Sequence, residues 1–282
     1  MFSGRSLVWS RTSACHAPIN YKVLRNGFID FLNSREFCDR YKKDLVSALE
    51  KYHVIIKEPM DIIQLFSKVD SGRKTLWLAL RNMFNYLELL GFNPLYLTLL
   101  RKALPKLKCG VDLRIPTEKE IRSSLVKIGN APLKYGTLWN LLLDSGIRLS
   151  EAIRFLKAPS RIEEIGGFYR SDLGYFRGYK QAFYVHFTEF TYELLQKLDD
   201  APDLVDANAS HYFCKYDFVS PKYIRKFMFD KMIELEIPES IADFIQGRSV
   251  RRIGARHYMI VERQASKYYR RYMEYLKKLR SD

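Results

Sequence analysis

The chain has 282 residues, a formal net charge of +15 and 14% aromatic side chains. That length favours two domains, each able to bury a core, and the charge and rings favour a polyanionic partner without separating DNA, RNA and an anionic membrane surface. Cys15, Cys38, Cys109 and Cys214 are scattered without a CxxC pair, which argues against a zinc site or disulfide framework and for a reducing compartment; no apolar run reaches the roughly 18 residues of a membrane span.

Residues 1–20 read as a leader, Arg- and Ser-rich, with no acid before Asp30. Lacking an amphipathic period, it is expected to be disordered or loosely attached, with a DNA-contacting arm through Arg5 and Arg11 as the alternative. Residues 21–107 carry helical spacing, as in Val46, Leu49 and Tyr52, with further helices expected over 59–69 and 74–90, the latter closed by Gly91, and one opening at Pro94. The exposed Lys and Arg of these four or five helices could lie along a duplex or be merely solvated. The period breaks from Pro105 to Pro116, and residues 108–116 read as a linker. Thr117 with Glu120 three positions on has the form of a capping box, so a new helix starts there.

Leu138 to Leu143 forms a very apolar helix that Gly146 can end in the left-handed conformation, and Ser150 can cap the next. Aromatic and β-branched residues alternate with polar ones from Phe168 to Thr188, which predicts two or three strands. Ser220 and Pro221 open a helix running to Leu235, and another follows over 238–246. In the last helix Tyr268, Tyr272, Tyr275, Leu276 and Leu279 share one stripe, opposite most of Lys267, Arg270, Arg271, Lys277 and Lys278. That stripe fits an intramolecular core helix or docking on a neighbouring protomer. The expected class is mainly α with a small antiparallel β-sheet (α+β), in two domains at 21–107 and 117–282.

Six residues of the second domain suit one reaction. In-line attack on a DNA phosphodiester needs cations for the transition state, a nucleophile and a proton for the leaving 5′ oxygen. Planar guanidinium groups can each donate two hydrogen bonds to nonbridging oxygens, which nominates Arg148, Arg225 and Arg248. Lys180, on a Gly-containing hairpin, can protonate the leaving oxygen. Lys222 lies one helical turn before Arg225, and Tyr258 follows Arg248 by ten residues. Each has a plainer reading alone: a solvated charge in a turn, a surface pair on a helix, one of 19 tyrosines. Their joint order carries the argument. His257 points about 100° away from Tyr258 on a helix and reads as structural or DNA-facing.

Ser145-Gly146-Ile147-Arg148-Leu149-Ser150-Glu151 resembles the first signature box of the tyrosine recombinases. Lys222-x-x-Arg225 sits where that family usually has His-x-x-Arg, and Gln246-Gly247-Arg248 where Leu-Gly-His is common. Those two departures, with Arg177-Gly178-Tyr179-Lys180 and Asp243-Phe244-Ile245, are similar to integrases of spindle-shaped archaeal viruses and related archaeal plasmids. The resemblance is strong from about Ile115 onward and rests on helical pattern alone over 21–107.

The resemblance implies a helical DNA-binding (core-binding) domain and a catalytic domain that integrates or excises a mobile element through a 3′-phosphotyrosyl bond at Tyr258, commonly within a tRNA gene. It implies double-stranded DNA attachment sites as partners, a homodimer on each site, a homotetramer in the synapse and a nucleoid-associated place in an archaeal cytoplasm, away from membranes. No cofactor and no metal are called for, since the covalent intermediate conserves the bond energy. A type IB topoisomerase-like nicking-closing enzyme and a non-catalytic DNA-binding module are the alternatives.

Overall fold

The computed structural model describes residues 18–107, 110–177, 180–198, 200–248 and 261–281. Most of the leader, with Arg5 and Arg11, lies outside the described residues. The chain divides into two compact units between Val111 and Asp112, each with its own hydrophobic core. The described residues are mainly helical with two small antiparallel sheets, the class expected from the sequence.

In the first unit Ile19–Asn20 (β1) pairs with Ile55–Ile56 (β2). Ile19 is fully buried, so the fold begins inside the segment read as leader; an apolar side chain next to a helix cap has a core to enter. Asn20 accepts the Lys22 amide at 3.0 Å and starts α1, Tyr21–Asn33. Next come α2, Asp39–Lys51, and α3, Pro59–Ser67, where Asp61 accepts the amides of Lys57 and Glu58 at 2.6 and 3.0 Å. α4, Arg73–Leu89, and α5, Pro94–Ala103, complete the unit. Phe28, Leu45, Leu80 and Phe84 are fully buried in its core. A Cβ on Gly27 would fall 2.1 Å from Tyr86 Oη, so glycine there lets α1 and α4 approach closely.

The second unit opens with α6, Glu118–Ile128, whose Thr117–Glu120 capping box forms as predicted. α7, Leu133–Ser145, is buried continuously from Gly136 and is the axis of the unit. α8, Leu149–Lys157, leads to the sheet β3 (Ile162–Glu164), β4 (Tyr169–Arg177) and β5 (Lys180–Phe187), in that spatial order and antiparallel throughout. The predicted strand region thus yields two of its three strands, and β3 precedes it. α9, Glu189–Gln196, and α10, Asp206–Lys215, follow, then α11, Pro221–Glu234, α12, Glu239–Ile245, and α13, Val261–Ser281.

α13 closes the core. Ala265, Tyr269, Tyr272, Leu276 and Leu279 are buried; Tyr269 and Tyr272 donate to the carbonyls of Asp144 and Leu143 at 3.0 and 2.9 Å. Arg280 ion-pairs with Asp144 and donates to Thr188 Oγ1 at 2.9 Å and Asn140 Oδ1 at 3.1 Å. Of the two readings of its apolar stripe, the intramolecular one applies. Tyr269 takes the buried place, and Tyr268 and Tyr275 are only partly covered.

Candidate active site

The site is built on the joint between α7 and α8. Gly146 stands at φ +59°, and a Cβ on it would lie 2.1 Å from Met228 Sδ and 2.8 Å from Gln246 Nε2. Backbone conformation and close approach both demand glycine. The sequence places the cap of α8 at Ser150, but Arg148 occupies the N-cap position. An arginine side chain has no acceptor, so the capping comes from Glu151, whose carboxylate takes the Arg148 amide at 2.8 Å and its Nη1 at 2.6 Å. Nη1 also donates to the Gly247 carbonyl at 3.1 Å. The Glu151 side chain is only 1% exposed, so it fixes Arg148 from beneath.

Arg225 enters from α11. Its Nη1 donates to the Gly146 carbonyl at 2.8 Å, and its own carbonyl accepts from Gln246 Nε2 at 2.8 Å. Nη2 is buried and, among the described residues, has no hydrogen-bond partner. Burial first, then the Arg148 and Arg248 charges, push the Arg225 pKa down to about 9. Arg248 follows the left-handed Gly247 that ends α12. Its amide donates to the Asp243 carbonyl at 2.8 Å, its Nη1 lies 3.5 Å from the buried Asp243 carboxylate, and its guanidinium sits 4.8 Å from the Phe229 ring centre. Three guanidinium groups therefore converge, and one retains an unused donor in a desolvated place. That arrangement opposes its own charges and suits an incoming anion.

The other predicted residues are placed differently. Lys180 opens β5; its side chain lies outside the described atoms. Its strand nevertheless meets the cluster, since a Cβ on Gly247 would fall 2.7 Å from that of Ala182. Lys222 is on α11 but ion-pairs with Asp112. Tyr258 and His257 lie outside the described residues. Tyr269, a nearby rival nucleophile in sequence, is buried with its hydroxyl engaged, and burial pushes its pKa well above the ordinary value.

Sequence reasoning missed the residues that hold the arginines: Glu151, Asp243, Gln246 and, for Lys222, Asp112. The first two carried a signal, an acid three residues after one arginine and five before another. Gln246 and Asp112 carried none, because their partners are remote in sequence.

Three converging guanidinium groups, of which Arg225 keeps an unused donor among the described residues, form in a strongly basic α+β protein an arrangement chemically suited to an oxyanion such as a phosphodiester. The model of the archaeal phage integrase family matches residues 113–275, more than half of the chain, and the chain belongs to that family. As a member of that family it is an integrase, a recombinase that acts on DNA. Solved structures similar to it include an integrase from mycobacterium phage Brujita, at 11% identity and a TM-score of 0.43 over 89% of this chain and 92% of that one. Another is a XerA recombinase, at 13% identity and a TM-score of 0.34 over 92% of this chain and 98% of that one. Neither likeness carries a residue assignment. No curated protein matches the sequence. Among the described residues no helix is long and apolar enough to cross a membrane.

Proposed function

We propose that Arg148, Arg225 and Arg248 grip the scissile phosphate while the Tyr258 hydroxyl attacks phosphorus. The phenol transfers its proton to solvent water, an O–P bond forms, the P–O5′ bond breaks, and Lys180 supplies the proton that the 5′ oxygen takes. The product is a 3′-phosphotyrosyl enzyme, and attack by a 5′ hydroxyl from a partner strand reverses the step. Lys222 joins the phosphate contacts. The unfilled Nη2 donor of Arg225 beside two more guanidinium groups is the observation that carries this reading.

In the same reading the helical unit over 21–107 binds the duplex, two protomers occupy each attachment site and four form the synapse. The resemblance to integrases of archaeal viruses and plasmids supports a tRNA gene as target and an archaeal cytoplasm, at the nucleoid, as the place of action. No cofactor or metal enters the scheme.

A trapping assay tests it. Tyr258→Phe removes only a hydroxyl, so the variant should bind attachment-site duplex and form no covalent adduct; persistence of adduct would assign the nucleophile elsewhere. Lys180→Ala should react slowly on ordinary DNA and regain most of its rate on a substrate with a 5′ thiolate leaving group, which departs without protonation. Equal impairment on both substrates would remove Lys180 from the acid role.

A further inference from the structure

We propose that Asp112 is a built-in occupant of a phosphate site formed by Lys222 and Lys226 on α11, and that duplex DNA must displace it before Lys222 can join the arginines. The inference rests on the function proposed above and adds a self-blocking contact to it.

Lys222 and Lys226 are one turn apart on α11, so both project to one side of the helix. The Asp112 carboxylate ion-pairs with Lys222 and lies 3.3 Å from the Lys226 ammonium. Lys226 also donates to the Asp112 carbonyl and, at 3.0 Å, to that of Arg114. Between the two lysines the Tyr223 ring has the Arg114 guanidinium 4.6 Å from its centre and the ammonium groups at 5.3 and 5.5 Å. Residues 112–114, read from sequence as part of a free linker, are thus strapped across the start of α11.

A carboxylate and a phosphodiester share the features that matter here: one negative charge and two oxygens able to accept from two donors. One carboxylate between two ammonium groups leaves a net positive charge, which attracts a DNA backbone. The pair is also accessible, with the Lys222 side chain 63% exposed, so displacement needs no opening of the core. Lys222 and the hydrogen bonds from the Arg114 amide and Lys226 hold the Asp112 carboxyl far below its ordinary range, which keeps the occupant charged.

The test uses a short fluorescent duplex of arbitrary sequence and the full chain, titrated at several salt concentrations. When DNA displaces Asp112, the freed carboxylate takes up a cation from solution and offsets part of the counterion release from the phosphates. Asp112→Asn removes that uptake. The variant should bind about two- to fivefold tighter, the range open to an exposed ion pair, and its log–log salt slope should steepen by up to about one. Asp112→Glu, which restores the charge, should return both values toward those of the native protein. An Asn variant that binds no tighter with an unchanged slope overturns the proposal, as does a Glu variant that behaves like Asn. A strap needed only for folding would weaken binding in the Asn variant, which also overturns it. These readouts are of binding alone, so they are distinct from the Tyr258 trapping result: loss of the catalytic reading would show as absent adduct, and loss of the latch as an unmoved slope.

Discussion

Arg280 and Arg225 are both largely withdrawn from water, yet they are held in opposite ways. Arg280 has a buried carboxylate, a hydroxyl and an amide oxygen as acceptors, and it ties α13 to α7 and to the start of α9. Arg225 makes one hydrogen bond to a carbonyl, leaves Nη2 without a partner among the described residues and faces two like charges. Each keeps one buried nitrogen without a hydrogen-bond partner among the described residues, Nε in Arg280 and Nη2 in Arg225, but an arginine paired with a buried carboxylate fastens the fold, whereas one set among like charges keeps its donor ready for an anion. The difference shows where this protein has placed stability and where it has withheld it.

The largest expected effect lies at Arg280. Arg280→Met leaves Asp144 buried and unpaired, so unfolding free energy should fall by about 3–5 kcal/mol, measured by denaturant titration. A loss under about 1 kcal/mol would mean that hydration replaces the partner and that the contrast between the two arginines is false. At the other residue, Arg225→Met should cost cleavage on the order of 10²-fold or more while the melting midpoint stays level or rises. A midpoint that drops along with cleavage would make Arg225 a structural residue.

A smaller effect should appear with pH. Burial first, then the Arg148 and Arg248 charges, lower the Arg225 pKa to about 9, so above about pH 9 the unfolded chain holds more protons than the native one, and this residue's contribution to stability rises with pH. The penalty is fully present below that pH and is relieved above it. The stability of the native protein should therefore gain on that of Arg225→Met by up to about 1.4 kcal/mol per pH unit in this window. A constant gap would show that the guanidinium is less strained than its surroundings imply. Smallest of all, inorganic sulfate should stabilise the native protein more than the Met variant, by about 0.4 kcal/mol when the free anion equals its Kd, read as a larger rise in melting midpoint. An equal response would mean that the unfilled donor takes no anion.

Much of the site was legible because its logic is local. Gly146 and Gly247 sit where helices end in the left-handed conformation, Thr117 and Glu120 meet within one helical turn, and the residues flanking Arg148 form a recognisable box. The errors were local too. Ser150 has the composition of a helix cap, but the chain begins α8 two residues earlier than that cap implies, at Leu149 after Arg148, because Glu151 can cap from the third position. Ile19 was assigned to the leader by the charge and composition of its neighbours, although its burial depends on pairing with a strand beyond α2.

The amino-acid order alone determined that this chain is helical, basic and built in two parts, and that Arg148, Lys180, Lys222, Arg225, Arg248 and Tyr258 follow one another in an order that suits phosphodiester chemistry. Those properties are written in spacing, capping and charge, which act over a few residues at a time. Only the tertiary structure decided that Arg225 keeps an unused donor, that Arg280 meets Asp144, Asn140 and Thr188, and that Lys222 is held by Asp112. Each depends on which groups meet across long stretches of chain in a place water has left, and desolvation is a property of the assembled fold that no short segment possesses.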